Sequence, residues 1–373
     1  MDYQNDNIET GLIFDIKKNS VHDGPGTRAA FYFKGCNLRC FWCNSPESYD
    51  ARRELNYYKD KCVGCEKCAQ VCIVGSHTFV PRHIGSADHI DETLYLDNEI
   101  HADESRHLDN ELCADGALYL DNEIRADVAP HLTNEIHADG ARHFINRSLC
   151  TRCGVCVKVC GAGALSMTGA EYSLDEAIEA ASENAELYKR SGGGITCTGG
   201  EPLLQAGFVE RLLRASKEAG LHTAIDTAGH VNFSVFEQVL PYTDLILYDV
   251  KCADTILHHQ VTGVKNRLII ENLKRLSERG TPVWIRVPVV PGINDNDANM
   301  RATAKIVSEL GNVKRVELLP YNSLGAGKYE RLGMDVNSAN VLQPVKNGRL
   351  EQIKALFESA AYDVVVNQYG CEA

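Results

Sequence analysis

Long apolar runs are missing from this chain. No stretch of its 373 residues approaches the roughly 18 apolar residues that a membrane-spanning helix needs, which argues against a helical membrane protein. The opening segment, MDYQNDNIET, is polar and acidic, so no secretory leader is expected. Basic charge is scarce too: 38 Lys and Arg stand against 51 Asp and Glu, a formal net charge of −13. That balance argues against nucleic acid as a main partner, because a phosphate backbone is held by surplus Lys and Arg. Cysteine, by contrast, is abundant at 15 residues. A cytoplasmic location is expected, where thiols stay reduced and clustered cysteines serve metals or catalysis rather than disulfides.

The chain reads as unequal parts. Arg28–Phe33 is a candidate strand that runs into a loop of cysteines. Residues from about 56 to 168 form a separate unit rich in Cys, His and Asp. From Ser173 onward, helices and strands alternate. Ser173 and Glu176 form a capping-box pair, and Leu174, Ala177, Ile178 and Ala181 then share one helical face. The next helix carries Val209, Leu212, Leu213 and Ser216 and stops at Gly220. A later one carries Ile269, Leu273 and Leu276 and stops at Gly280. Strands are expected at 194–198, 222–226, 245–250, 283–289, 316–319 and 363–366. Strands separated by helices of this length imply a parallel sheet, either a barrel or partial barrel or an open doubly wound sheet.

Three cysteine groups carry the chemistry. Cys36-Asn-Leu-Arg-Cys40-Phe-Trp-Cys43 places three thiolates in one short loop. A cubane 4Fe–4S cluster held by three thiolates keeps one iron open to a small molecule. Cys62, Cys65, Cys68 and Cys72 have C-x2-C-x2-C-x3-C spacing, and Cys150, Cys153, Cys156 and Cys160 repeat it. Each matches the bacterial ferredoxin run, in which the fourth cysteine reaches the other cluster. Cys62, Cys65, Cys68 and Cys160 are therefore expected around one cluster, and Cys150, Cys153, Cys156 and Cys72 around the other. Zinc is the alternative for all three groups. Ferredoxins usually place Pro after the fourth cysteine; here Ile73 and Gly161 follow, which changes a turn but no ligand. Between the two runs, residues 94–141 hold four 12-residue units in tandem, from LYLDNEIHADES to PHLTNEIHADGA. An expanded hairpin loop is the simplest reading; a partner-binding arm and a His/Asp metal site are the others. Cys113 within it reads as incidental.

With these motifs in place, the chain resembles the glycyl-radical-enzyme activating enzymes of the radical S-adenosylmethionine (SAM) superfamily. The likeness is to the ferredoxin-containing group, similar to pyruvate formate-lyase activating enzyme, and covers nearly everything but the tandem repeat. The C-x3-C-x2-C loop is the superfamily's signature. DGPGTR, Asp23 to Arg28, is similar to the family's DGPG-[IT]-R. Thr198-Gly199-Gly200-Glu201-Pro202 resembles its GGEP, Asp226-Thr227-Ala228-Gly229 its DTxG, and Asp249-Val250-Lys251 its DxK. The implied fold is a partial (β/α)6 TIM-type barrel over residues 1–55 and 169–373. A two-cluster α+β ferredoxin-like domain is inserted at 56–168 and carries the repeat at 94–141 as an expanded loop.

The resemblance also implies roles. Cys36, Cys40 and Cys43 hold the reactive cluster, the first of three 4Fe–4S clusters. Gly199, Gly200 and Glu201 take the methionine amine of SAM, with Glu201 as the acceptor. Trp42, Asn44, Asp249, Val250 and Lys251 line the SAM site. Asp226 lies near SAM with a monovalent cation. Arg286 is a candidate for the SAM carboxylate, or else a core-edge arginine. Asp23 and Gly24 meet the partner's glycine loop. Two positions depart from the pattern: Asn322 follows Tyr321 where the family has His, and Ser45 separates Asn44 from Pro46. Cys197 and Cys252 read as small buried residues.

The implied reaction is one-electron cleavage of SAM to methionine and a 5′-deoxyadenosyl radical, which takes a Cα hydrogen from a glycine of a partner glycyl radical enzyme. A flavodoxin- or ferredoxin-type protein supplies the electron, and the activase itself is expected to be a monomer. Two other classes compete: a radical SAM enzyme acting on a small molecule or peptide, and a ferredoxin-type electron carrier fused to an inactive barrel. SAM turnover by the reduced protein separates the carrier from the other two.

Overall fold

The computed structural model of the chain describes residues 9–80, 142–335, 342–358 and 362–367. The tandem repeat at 94–141 lies outside the described residues. Thirteen strands are present among them: β1 Thr10–Ser20, β2 Arg28–Phe33, β3 Glu54–Tyr57, β4 His77–Val80, β5 Arg142–Ile145, β6 Leu165–Thr168, β7 Ala170–Ser173, β8 Gly194–Gly199, β9 His222–Thr227, β10 Leu245–Asp249, β11 Val283–Val289, β12 Val313–Pro320 and β13 Asp363–Val366.

Nine of them form one sheet in the order β13-β12-β11-β10-β9-β8-β2-β1-β7. Every pair from β2 to β13 in that order is parallel. β1 and β7 add antiparallel at one edge. The sheet ends in two edges rather than a closed ring, as expected for a partial barrel.

Strand alternation divides the sheet into two unlike faces. Ile195, Cys197, Ile225, Ile246, Tyr248, Ile285, Val287, Val316 and Leu318 join the main core. There they meet helix residues such as Phe208, Val209, Leu212 and Leu213 of Ala206–Glu218, and Ile269, Leu273 and Leu276 of Arg267–Glu278. Each such side chain contributes about 1.5–3 kcal/mol by leaving water. Both helices are followed by a glycine at positive φ, Gly220 at +74° and Gly280 at +72°, which ends them without a Cβ clash. The helix Leu174–Ser182 starts from a full capping box: Ser173 N–H donates to Glu176 Oε2 over 2.8 Å, and Glu176 N–H to Ser173 Oγ over 3.3 Å. The intervening strand positions point the other way, where Thr196, Thr198, Asp226, Asp249, Arg286 and Glu317 make a polar region beside the apolar cluster of Ala224, Leu245, Leu247 and Trp284.

A smaller unit lies between β2 and β7. β3 pairs with β6 and β4 with β5, both antiparallel. Each half runs strand, cysteine loop, short helix, strand, with helices at Lys67–Val71 and Val155–Val159. The halves repeat each other in the backbone: Gly64 and Glu66 have positive φ in one cysteine loop, Arg152 and Gly154 in the other. These are matching places in the two runs. Leu55, Cys68, Cys156 and Leu165 form its buried centre. Arg147 ties it to the large sheet's side, donating to Leu55 O over 2.6 Å and to Arg331 O over 2.8 Å.

Candidate active site

The three loop cysteines follow β2 directly. The loop is pinned from several sides: Arg39 N–H donates to Thr262 O and Phe41 N–H to Val261 O. Tyr49 Oη donates to Cys40 O over 3.1 Å, and Tyr329 Oη to Cys43 O over 2.9 Å. Trp42 is buried with Val290, Tyr321 and Leu342, so its ring anchors the loop in an apolar patch. Burial pushes all three thiols up, Cys40 to about 12. Three adjacent thiols that resist ionisation need a cationic partner to become thiolates. That donor set fits an iron–sulfur cluster with one iron left open. Asn37, beside Cys36, also holds a buried Oδ1 with no protein partner.

Gly199 and Gly200 bring the end of β8 against this loop. Gly200 N–H donates to Phe33 O and Glu201 N–H to Gly35 O, over 2.9 and 2.8 Å. A Cβ at Gly200 would lie 2.2 Å from Gly35 O, and one at Gly199 2.4 Å from Phe33 N. The close approach these glycines permit is therefore to the end of β2 and the start of the chain's own cysteine loop.

Lys251 faces the same thiols. Its Nζ is 2.7 Å from Asp249 Oδ2. Burial alone would lower its pKa, but Asp249, Cys40 and Cys36 outweigh burial and hold it above the ordinary lysine value. Val250 between them is buried in the main core, which leaves only its backbone to face a ligand. Asn44 and Asn322, the two departures from the family pattern, meet each other: Asn44 Nδ2 donates to Asn322 Oδ1 over 3.3 Å. Asn44 Oδ1 accepts from Gly325 N–H over 3.1 Å.

Two further candidate residues are held by contacts within the chain. Glu201 is fully buried, and its oxygens are taken by Thr227 Oγ1 at 2.8 and 2.9 Å, Ala228 N–H at 3.0 Å and Leu203 N–H at 3.2 Å. It braces β8 against β9. Burial raises its pKa to about 7 against these donors. Arg286 is likewise committed: Nη1 to Asp226 Oδ2 at 2.7 Å, Nε to Glu317 Oε2 at 3.1 Å and Nη2 to His22 O at 2.8 Å. It is a buried brace across β9, β11 and β12, the core-edge role that stood as the alternative. Burial raises Asp226 to about 6 while Arg286 opposes it.

The DGPGTR loop is braced in the same way. Asp23 Oδ2 accepts from Tyr32 Oη over 3.0 Å, and Asp23 O from Thr196 Oγ1 over 2.6 Å. Gly24 has φ +127°, and a Cβ there would meet the Arg28 guanidinium at 2.8 Å. Arg28, fully buried, donates to Pro25 O, Ile195 O and Thr196 Oγ1. Cys197 and Cys252 are buried as expected; Cys252 Sγ donates to Asn299 Oδ1 over 3.0 Å.

In the small unit, one cavity is lined by Cys62, Cys65, Cys68 and Cys160, and a second by Cys72, Cys150, Cys153 and Cys156. Burial raises Cys68 to about 12 and Cys156 to about 11. At Cys72 burial acts upward as well, but bonds from Ser76 leave the thiol below its ordinary value. A groove of about 790 Å³ runs from Tyr49 and Arg39 beside the cysteine loop to Cys150, and also holds Arg52, Arg147 and Arg152.

Sequence reasoning missed Tyr49, Tyr329, Glu317 and Asn294. Asn294 is fully buried and donates to Lys251 O and Pro288 O over 2.7 Å each. None of these stands in a motif; only their contacts reveal them.

Residues 151–303 match the Radical SAM superfamily. The chain is 34% identical to the isethionate sulfite-lyase activating enzyme of Nitratidesulfovibrio vulgaris, over 94% of this chain and 97% of that one. It is 31% identical to the indoleacetate decarboxylase activating enzyme of Tractidigestivibacter scatoligenes, over 95% and 97%. It is also 31% identical to the trans-4-hydroxy-L-proline dehydratase activating enzyme of Clostridioides difficile, over 95% and 98%. A radical SAM enzyme is the class so defined. Within it, the chain belongs to the activating enzymes of glycyl radical enzymes.

Proposed function

We propose that this protein installs a glycyl radical in a large partner enzyme, using SAM at a 4Fe–4S cluster held by Cys36, Cys40 and Cys43. The observation that carries this reading is the meeting of three half-buried thiols with the Lys251–Asp249 pair beyond the ends of β2 and β10. When bound, cluster and SAM supply one-electron chemistry that ends in removal of a hydrogen from the partner's glycine Cα. The chain's own part is to hold and exclude. Lys251 and Asp249 offer one charge of each sign to the amino and carboxylate groups of SAM. Asn44 and Asn322 offer amides to its nucleoside. Trp42, Val290 and Tyr321 keep water from the loop, which protects a radical from quenching. Asp23 and Gly24, held rigid by Arg28 and Thr196, are read as the rim that meets the glycine loop. A monovalent cation near Asp226, whose Oδ2 is already held by Thr198 and Arg286, is compatible with this reading.

The small unit is read as a two-cluster ferredoxin-like domain. Its natural bounds are 54–168, since β3 begins at Glu54 and pairs with β6. The two four-cysteine cavities support crossed ligation, giving three clusters in all. The second of these clusters is read as passing electrons toward Cys36, Cys40 and Cys43, and the groove beside it runs from Cys150 to the Tyr49 side. Its arginines, in a chain of net charge −13, suit an acidic donor of the flavodoxin or ferredoxin kind. A cytoplasmic monomer fits this reading. The test is anaerobic incubation of the reduced protein and SAM with the glycyl radical enzymes partnered by the three relatives. An organic radical signal in one partner, lost when its loop glycine is changed to Ala, supports the proposal. SAM consumption without a radical in any partner, but with a modified small molecule or peptide, favours the second class.

A further inference from the structure

The antiparallel β4–β5 pair carries two buried histidines that the radical chemistry does not use. His77 and His143 are 5% and 6% exposed. His143 Nδ1 lies 3.7 Å from Cys62 Sγ, and its Nε2 lies 3.8 Å from Cys68 Sγ. The same Nε2 is 3.0 Å from His77 Nδ1. The His143 ring is clamped. It stacks on Phe79 at 4.2 Å and 6°, and meets Tyr57 edge-on at 4.8 Å and 72°.

One proton assignment satisfies these contacts best. A ligating thiolate only accepts hydrogen bonds, and a neutral imidazole has one donor and one acceptor nitrogen. If His77 Nδ1–H donates to His143 Nε2, then His143 carries its proton on Nδ1 and aims it at Cys62 Sγ. The reverse bond would turn a lone pair of Nδ1 toward that thiolate. Which nitrogen carries the proton is set by the bond the other makes, so His77 fixes the tautomer of His143.

We infer that His143 is a potential-setting residue for the cluster held by Cys62, Cys65, Cys68 and Cys160, through an N–H bond to the Cys62 sulfur oriented by His77. This rests on the two-cluster reading above. Reduction makes the ligand sulfurs more negative, so a donor aimed at one of them stabilises the reduced form more than the oxidised form. The second cavity has its own donors: Ser76 N–H lies 3.3 Å and Ser76 Oγ 3.1 Å from Cys72 Sγ. The two potentials are therefore set by different residues and can be moved separately. Cys68, His77 and His143 also place three ligand atoms within 4.8 Å of one another, but a metal there would take Cys68 from its four-cysteine set.

The test uses the full chain with Cys36→Ala, Cys40→Ala and Cys43→Ala, so that only the small unit's clusters remain. Iron and sulfide are counted, and the potentials are titrated by electron paramagnetic resonance. His143→Phe keeps the ring stack and removes the N–H. It is expected to lower one midpoint, cutting that cluster's reduced-to-oxidised ratio at fixed poise at least tenfold, about 59 mV for one electron. The other midpoint stays. His143→Asn, whose amide can reach the place of Nδ1–H, recovers part of the shift, and Ser76→Ala moves only the other cluster. Unchanged potentials with full iron overturn the inference, as does an equal shift of both clusters in His143→Phe. If His143→Phe does not load, the background protein labelled with 15N-histidine decides. A hyperfine coupling from histidine nitrogen to one reduced cluster is expected, and its absence refutes the bond. A background chain holding far fewer than about eight irons sinks the two-cluster reading itself, and this inference with it.

Discussion

Glu201→Gln separates a brace from a ligand contact, and its signature is a pH dependence. Glu201 is fully buried and accepts from Thr227, Ala228 and Leu203. Glutamine turns one oxygen into a donor, which faces the N–H of Ala228 in one orientation and of Leu203 in the other. Either way a buried N–H loses its acceptor, a cost of about 1–3 kcal/mol. Against that stands the burial of the wild-type carboxylate, whose pKa rises from 4.5 to about 7. The folded state then binds more protons than the unfolded state between these values, so wild-type stability falls as pH rises through the window. The fall is about 2–3 kcal/mol between pH 5 and pH 8. Glutamine has no such slope. Wild type should therefore exceed the variant by about 1–3 kcal/mol at pH 5, and the gap should close or reverse by pH 8. Urea unfolding of the metal-free, reduced chain at several pH values reads this directly. Parallel pH profiles for the two proteins would refute the buried, up-shifted carboxylate.

Arg286→Met leaves Asp226 and Glu317 without their shared guanidinium and should cost about 3–5 kcal/mol, read as a drop in urea midpoint at neutral pH. A merely peripheral arginine would cost less than about 1 kcal/mol. Gly200→Ala pushes a methyl into Gly35 O and should displace the cysteine loop. Iron content should fall by about four per chain while the small unit keeps about eight; full iron loading would contradict the packing. Lys251→Met removes the ammonium paired with Asp249 and should weaken SAM binding at least tenfold, about 1.4 kcal/mol, measured by calorimetry on the anaerobic oxidised protein. Unchanged affinity would remove Lys251 from the site.

Much of the fold was legible because the barrel strands are short apolar runs set off by glycines and by helices with clean 3.6-residue periodicity. The expected strand at 283–289 coincides with β11, and the helix carrying Ile269, Leu273 and Leu276 ends before Gly280 as expected. β1 and β7 were not read from the sequence. β1 ends in the polar stretch KKNS, and β7 is the four polar-leaning residues AEYS; both owe their pairing to the edge of the sheet rather than to their own pattern. At the site, the motifs named the right strand ends but not the direction of each bond. Glu201 and Arg286 are charged residues in or near motifs, and sequence alone gives no measure of how completely Thr227, Asp226 and Glu317 satisfy them. The role of Gly200 was likewise ambiguous, since a glycine's missing side chain serves a ligand or a neighbouring loop equally well.

The central claim is that SAM is cleaved at the cluster of Cys36, Cys40 and Cys43. Its most direct test is product analysis after anaerobic reconstitution, reduction and addition of SAM, comparing wild type with the triple Cys→Ala protein. The account predicts equal amounts of methionine and 5′-deoxyadenosine from wild type, and neither from the variant although it keeps the small unit's iron. Cleavage by the variant, or none by a fully loaded wild type, would contradict it.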